Sequence, residues 1–497
     1  MRIARLFVLA LHGALPAAAQ DADQRYKEFF ADNMQFRWPN PELTSEERVI
    51  LLRNFTKHDI PAAAEWLLTE VVAKSDAGDV VREAVKVLSG FKGPETLTAM
   101  QQIWEGKLKK PPEVRALGTL AFSKTQQVEG GNVIGQALKE KDERVVLAGL
   151  AAARESRRIA MKDEVGKLLS HKHPLVRGAA AITLAELKAD DLLPQIFRLF
   201  ATDPSYRVRY DAWVAVKKLS LNEMPCDPAA WEAWWQQQAA GEEGGAWGTW
   251  PKAKDPSPGA PFFGIPVLGD RIIFVLDISQ DMDNPWMVDH KAEREKPKEE
   301  QIPNFFSVKT RWNLVTNHLK QCLAVLPEKI EVALVLFNHQ FTCYPDNGRL
   351  LKLSSKTREA LAAHLDASVE RSGSTAMYEA LKAAWGFLKG GNAEINFDKG
   401  CDTIVFVTDG QSLAGELSKR PDRLRDEVWR VAQTRGVRVH VVGIHNHDFD
   451  LCREFAKVSG GLYVHAQQHD DTAEPQDLEF WPKKKKAFEE ARKSKRG

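Results

Sequence analysis

The chain runs to 497 residues, too long for one ordinary domain and sized for two or three. Apolar residues at 43% are enough to fill real cores, and 28% charged is usual for a soluble protein. With 69 Lys and Arg against 68 Asp and Glu, the net charge of +1 singles out no charged partner, and bulk charge gives nucleic-acid binding no support.

The first segment is MRIARLFVLALHGALPAAAQ. Arg2 and Arg5 make a basic start, Leu6 to Leu15 an apolar core broken by His12, and Ala17 to Ala19 a small-residue cleavage site before Gln20. The pattern predicts a cleavable signal peptide over 1–19 and a periplasmic or secreted protein, with 20–44 as a lead-in. A buried N-terminal helix is the alternative. The apolar run falls well short of the roughly 20 residues a membrane span needs. No cysteine follows it to carry a lipid, and no other segment is apolar enough to span a bilayer. The five cysteines (226, 322, 343, 401 and 452) are odd in number and never in C-x-x-C spacing, so neither a zinc site nor a disulfide scaffold is implied. Cys322 falls on the apolar face of a predicted helix, and one disulfide among the others stays open.

Residues 45–240 read as all-helical, with a phrase that returns five times. It appears as GDVVREAV, PPEVRALG, DERVVLAG, HPLVRGAA and YRVRYDAW, with Val81, Val114, Val145, Val176 and Val208 spaced 33, 31, 31 and 32 residues apart. A fixed period of that size is the signature of a solenoid, in which stacked helix pairs bury a core that no single repeat can bury. The segment resembles the HEAT-like family of helix-pair repeats. Arg82, Arg115, Arg177 and Arg209 recur at one place in the phrase. They read as a hydrogen-bond ladder between repeats, with phosphate binding as the functional alternative. The array closes with CDPAAWEAWWQQQ, where Asp227 is the expected N-cap and Pro228 the first helical residue. Trp231, Trp234 and Trp235 share one face and read as a capping core, the alternative being an aromatic sugar platform. Residues 241–269, dense in Gly and Pro, read as a linker.

From 270 to 468 strands and helices alternate. Strands are predicted at 271–277, 330–337, 403–408, 437–442 and 462–465, with amphipathic helices at 311–326, 356–369, 376–388, 422–434 and 450–458. That order predicts a doubly wound, mostly parallel sheet, so the whole chain is multidomain: an all-α solenoid followed by an α/β domain. In such sheets ligands bind beyond the carboxyl ends of the strands, where the strand order reverses. FVLDISQD leaves the first strand, VFVTDGQS leaves a central one, and RSGSTAMYEAL lies in a loop that opens a helix.

Together these segments resemble the von Willebrand factor type A family, whose metal-ion-dependent adhesion site reads D-x-S-x-S, then a loop Thr, then Asp before Gly. Asp277, Ser279, Thr375 and Asp409 match that pattern, and REFAKVSGGLYVHA is similar to the family's last helix and strand. The resemblance covers about 270 to 468. It implies a divalent cation, Mg²⁺ or else Mn²⁺ or Ca²⁺, held by Asp277, Ser279, Asp281, Thr375 and Asp409, with an open position for a carboxylate from a protein partner. The oxygen donors suit such an ion. One position departs: Asp281 stands where the family has serine. It ligates the metal and raises the site's negative charge, swings away and weakens the site, or marks a site that has lost its metal.

An insertion, 283–307, follows, and its charge run from His290 to Glu300 reads as a solvated excursion that is also placed to shield the metal or touch a partner. GIHNHDFD puts His445, His447, Asp448 and Asp450 on the same sheet edge. It reads as caps and turns, with Asp450 capping a helix and a second metal cluster as the alternative. The basic tail 469–497, with Lys483 to Lys486, reads as a solvated helix, or as a weak contact to anionic envelope polymers. The expected function is an exported, non-catalytic interaction scaffold with a metal-assisted domain. Two rivals remain. One is a hydrolase resembling haloacid-dehalogenase-type phosphatases with Asp277 as nucleophile, and the other is a metal-free structural domain. Cytoplasmic type A subunits that partner ATPases also resemble the second half, but the signal peptide argues against their setting.

Overall fold

The computed structural model describes residues 17–35, 38, 40, 42–75, 77–109, 111–240, 251, 260–298, 301–367, 371–386, 400–410, 414, 415, 417, 418 and 420–467. Most of the expected signal peptide, most of the linker and all of the basic tail lie outside the described residues. The chain forms two compact units, Met1–Lys254 with Asp426–Gly436, and Asp255–Arg425 with Val437–Gly497.

Unit 1 is helical. Its helices are α1 (Ala17–Phe30), α2 (Ser45–Asn54), α3 (Pro61–Trp66), α4 (Gly78–Ser89), α5 (Pro94–Gly106), α6 (Pro112–Leu120) and α7 (Val128–Ala137). After them come α8 (Glu143–Glu155), α9 (Lys162–Lys167), α10 (Pro174–Glu186), α11 (Leu193–Thr202), α12 (Tyr206–Ser220) and α13 (Glu232–Ala240). Local signals set the starts. Thr44 and Glu47 form a capping box on α2, Asp142 and Ser205 cap α8 and α12, and proline opens α3, α5, α6 and α10. Packing runs from α2 to α4, α6, α8, α10 and α12 in turn, and from α3 to α5 to α7. All five valines of the repeated phrase are buried.

The recurrent arginines are tied down. Arg115 donates to Trp104 O (2.7 Å) and pairs with Glu140 (2.7 Å), while Arg177 grips Asp203 with Nε and Nη2 at 2.7 and 2.8 Å. Arg209 donates to the Asp203 carbonyl (2.6 Å). Arg82 departs from the ladder: it pairs with Asp426 and lies over the Trp429 ring, both in the Asp426–Gly436 stretch of unit 1. At the end of the array Asp227 caps a short turn at Ala229 N, with Pro228 following. Trp231 and Trp235 are buried against Phe197, so these rings are core and no open platform.

Unit 2 begins with a hairpin, β1 (Ala260–Phe262) and β2 (Ile265–Val267), inside the segment expected as linker. Phe262, Ile265 and Val267 are buried, and this apolar alternation outweighs the Gly and Pro content. The main sheet holds β3 (Arg271–Asp277), β4 (Glu331–Phe337), β5 (Phe341–Tyr344), β6 (Leu351–Lys352), β7 (Thr403–Thr408), β8 (Arg438–Ile444) and β9 (Tyr463–Ala466). Its order is β5-β4-β3-β7-β8-β9, with β6 also on β4. The bonds β4–β3–β7–β8–β9 are all parallel, whereas β5 and β6 pair antiparallel with β4. Those two short strands lacked the apolar run that marks the others. The helices are α14 (His290–Glu295), α15 (Arg311–Val325), α16 (Ser355–Asp366), α17 (Met377–Trp385) and α19 (Phe449–Ser459), while α18 (Pro421–Arg435) belongs to unit 1 from Asp426 onward. From β3 the chain winds one way to β4, and from β7 the other way to β8. The order therefore reverses between β3 and β7.

The insertion is not a free excursion. Trp286 is buried, its N–H donates to Lys309 O (3.0 Å), and the buried Glu293 pairs with Lys296 and accepts from Ile302 N. A chain with several apolar residues, Trp286 and Phe305 among them, packs where it can. All five cysteines are free, so the disulfide left open does not form, and Cys322 is buried as expected. Among the described residues no helix is long and apolar enough to cross a membrane.

Candidate functional site

The site lies at the carboxyl ends of β3 and β7. Leu276 pairs with Val407 across these strands, so Asp277 and Thr408 leave the sheet side by side. Asp277 is fully buried and both its oxygens are engaged. Oδ1 accepts from Ser279 N (2.8 Å), and Oδ2 accepts from Thr408 Oγ1 (2.7 Å). Ser279 Oγ donates to Asp409 Oδ1 (3.3 Å), which ties the first loop to the second. Asp409 Oδ2 accepts from Arg311 Nη1 at 2.8 Å, a pair buried on both sides.

Thr375 comes from a third segment. Ala376 N donates to Asn338 O (2.7 Å), which fastens this loop to the end of β4. Gly373 turns it with φ at +70°, where a Cβ would lie 2.3 Å from His339 Nδ1. Thr375 is buried, and a Cβ placed on Gly410 would meet its Oγ1 at 3.1 Å and Asp277 Oδ2 at 4.0 Å. Three distant segments thus converge within the width of a methyl group. Asp281 stays apart. It is exposed, sits in the turn Gln280–Asp283, and accepts from Asn284 Nδ2 at 3.3 Å.

Burial, and then the charge of Asp409, pushes the Asp277 carboxyl well above the ordinary carboxylate range. Asp409 also moves up, chiefly by burial, with the Arg311 bond opposing and the charge of Asp281 adding. Burying two carboxyls together is costly unless a proton or a cation balances their charge.

Residues 272–478 match the family model for the von Willebrand factor type A domain. This half of the chain holds a type A domain. A solved structure described as von Willebrand factor type A from Catenulispora acidiphila is similar at 17% identity, over 40% of this chain and 39% of that one, with a TM-score of 0.29. The chain therefore spans well under half the length of that protein. No curated protein is similar to the chain.

The donor set of the type A domain is right in kind for a divalent ion, since Thr375 Oγ1 and Ser279 Oγ are hydroxyl oxygens. Its charges are arranged otherwise. Each Asp277 oxygen already accepts one internal hydrogen bond, Asp409 carries a guanidinium, and Asp281 is exposed. The residues as placed do not fit a resident divalent cation.

The His and Asp residues after β8, expected as caps and turns with a second metal cluster as the alternative, are held by packing and a helix cap. His447 is buried, with Nδ1 2.9 Å from His445 O and Nε2 2.7 Å from Tyr463 OH. Asp448, and not Asp450, caps α19 by accepting from Leu451 N (3.0 Å). Asp450 is exposed and pairs with Arg453, because the helix begins one residue earlier than expected and moves the cap with it.

Burial first, then the charges of His465 and His445, pushes the His447 ring down to about 4. Below its ordinary value of 6.5 the unfolded chain takes up a proton that the folded one refuses. The stability this ring contributes is complete above pH 6.5 and is lost as pH falls toward 4. The full loss is about 3 kcal/mol. Asp277 works in the opposite sense, so the comparison must be with a variant. We expect His447→Gln to show an acid limb shallower by up to about 3 kcal/mol between pH 6.5 and 4 in urea unfolding of the full chain. Equal slopes would rule out this assignment.

Arg311 and Thr408 were missed by reasoning from sequence. Arg311 had a signal: it is the first residue of α15, after the Thr310 cap, where a cation opposes the helix dipole. An arginine in that position needs a carboxylate.

Proposed function

We propose that the chain is an exported interaction protein whose type A domain engages a protein partner at the loops beyond β3 and β7. Type A domains commonly bind proteins. The observation that carries the reading is the convergence of the 277–281, 373–376 and 409–410 segments at the reversal of strand order, where open α/β sheets place their ligands. In the stretch that follows Ser279, residues Asp281, Asp283, Met287, Asp289 and Phe306 are all exposed, apolar and acidic groups of the sort that partners bury. Export rests on the N-terminal pattern of basic, apolar and small residues. A HEAT-like array as a second binding surface is supported by the 31–33-residue period and the serial packing of alternate helices.

A hydrolase built on Asp277 needs a carboxylate that a substrate can reach, and this one is fully buried with both oxygens bonded. A metal bridge to a partner's carboxylate is likewise disfavoured by Arg311.

The test uses the full chain as bait in envelope extract, beside Asp281→Lys and Phe306→Asp. Both positions are exposed, so folding should be unaffected. Loss of a captured protein with both variants, unaltered by chelator, is the expected result. An identical capture profile for wild type and variants would remove the loop-edge reading.

A further inference from the structure

The type A site contains its own cation. Arg311 opens α15, its backbone N–H donates to Asn284 O (3.1 Å), and its side chain runs inward until only 8% of the residue is exposed. Nη1 meets Asp409 Oδ2 at 2.8 Å, in a pair whose carboxylate is fully buried. The Nε–H is buried and has no hydrogen-bond partner among the described residues. Leaving a buried donor unpaired is unfavourable, and starting a helix with a cation is unfavourable as well. Both features run against local preference, and the contact with Asp409 compensates them. The insertion makes this possible. The bridge between Pro285 and Thr310 closes it into a loop, and α15 then begins beside the site with an arginine as its first residue.

A dication bound between Asp277 and Asp409 would share Asp409 with the Arg311 guanidinium and lie against a like charge at close range. Asp281, at the position where the chain departs from the pattern, is exposed and accepts from Asn284 Nδ2. We propose that Arg311 is the resident cation of this site, and that the type A domain of this chain holds its three loops together without a divalent metal. Asp409 then serves as an anchor for α15 rather than as a metal ligand. The proposal stands apart from the partner reading, since it concerns how the loops are held and not what they touch.

Isothermal titration of Mg²⁺ and Mn²⁺ into the full chain, with thermal unfolding in chelator and in millimolar Mg²⁺, provides the test. Wild type should give no binding heat that depends on Asp409 and no change in Tm between the two conditions. Arg311→Met should gain Mg²⁺ binding at least about tenfold tighter than wild type, with a Tm that rises with Mg²⁺. Adding Asp409→Asn should abolish that gain. Arg311→Lys, which keeps the charge, should stay indifferent to metal. Binding by wild type that Asp409→Asn removes would overturn the proposal, whether or not Arg311→Met folds. So would a folded Arg311→Met that ignores Mg²⁺.

Discussion

Arg311→Met should destabilise the type A domain by about 3–5 kcal/mol in metal-free buffer, the usual cost of stripping one partner from a buried ion pair. The reason lies with the residue left behind. Among the described residues the Asp409 carboxylate accepts from Ser279 Oγ and Arg311 Nη1, and the Ser279 contact is long at 3.3 Å. Without the guanidinium, a buried carboxylate stands beside the equally buried Asp277 without its cation. Asp409→Asn alone should also be costly, since it strands the arginine. The two changes together should cost clearly less than their sum, because each removes the other's unpaired charge. Native-state hydrogen exchange at the amides of β3 and β7 in the full chain reads the effect locally. Strictly additive losses would mean that the pair is not coupled and that Arg311 is held by something else.

Much of this architecture was legible before any coordinates. Arg271–Asp277 and Thr403–Thr408 were placed to the residue because both are unbroken apolar runs ending in a polar residue, the mark of a strand buried on both faces. Asp277, Ser279, Thr375 and Asp409 were named from a pattern, and three segments far apart in sequence do bring them together. What could not be read was the state of their charges. Arg311 lies 98 residues before its partner Asp409, and nothing in the local sequence links them. The pattern carries the oxygens of a metal site, and only the fold shows which cation faces them. The β1–β2 hairpin was hidden for a different reason. Its three-residue strands are too short to show a period, and the glycines and prolines around them read as breaks.

The arginines of the helical array pose the same question in the other unit, and there the repeat itself answers it. Four of the five phrases offer an arginine that fits either a phosphate site or a clamp, because both uses need a planar group with paired donors. Arg177 settles on the clamp. Its fork takes both oxygens of Asp203, Nη1 takes His171 O at 2.8 Å, and Asp203 Oδ1 also accepts from Ser205 N at 2.9 Å, the residue that caps α12. One carboxylate thus orients the arginine of α10 and the start of α12. Asp203→Ala should therefore cost about 3 kcal/mol, since it strands a largely buried guanidinium and loosens the cap in one step. Arg177→Lys should also lose stability, because a single ammonium cannot reproduce the fork. Urea unfolding of the full chain, followed through the transition of unit 1, measures both. Adding phosphate separates the two readings. A clamp predicts no rise in the midpoint of wild type, whereas a phosphate site predicts a rise that Arg177→Lys reduces. With Arg115 bound through Nε and Nη2 to one oxygen of Glu140, the ladder is carried by carboxylates supplied from the loops before α8 and α12. A stabilisation of wild type by phosphate that fades in Arg177→Lys is the one result that would return these arginines to a binding role.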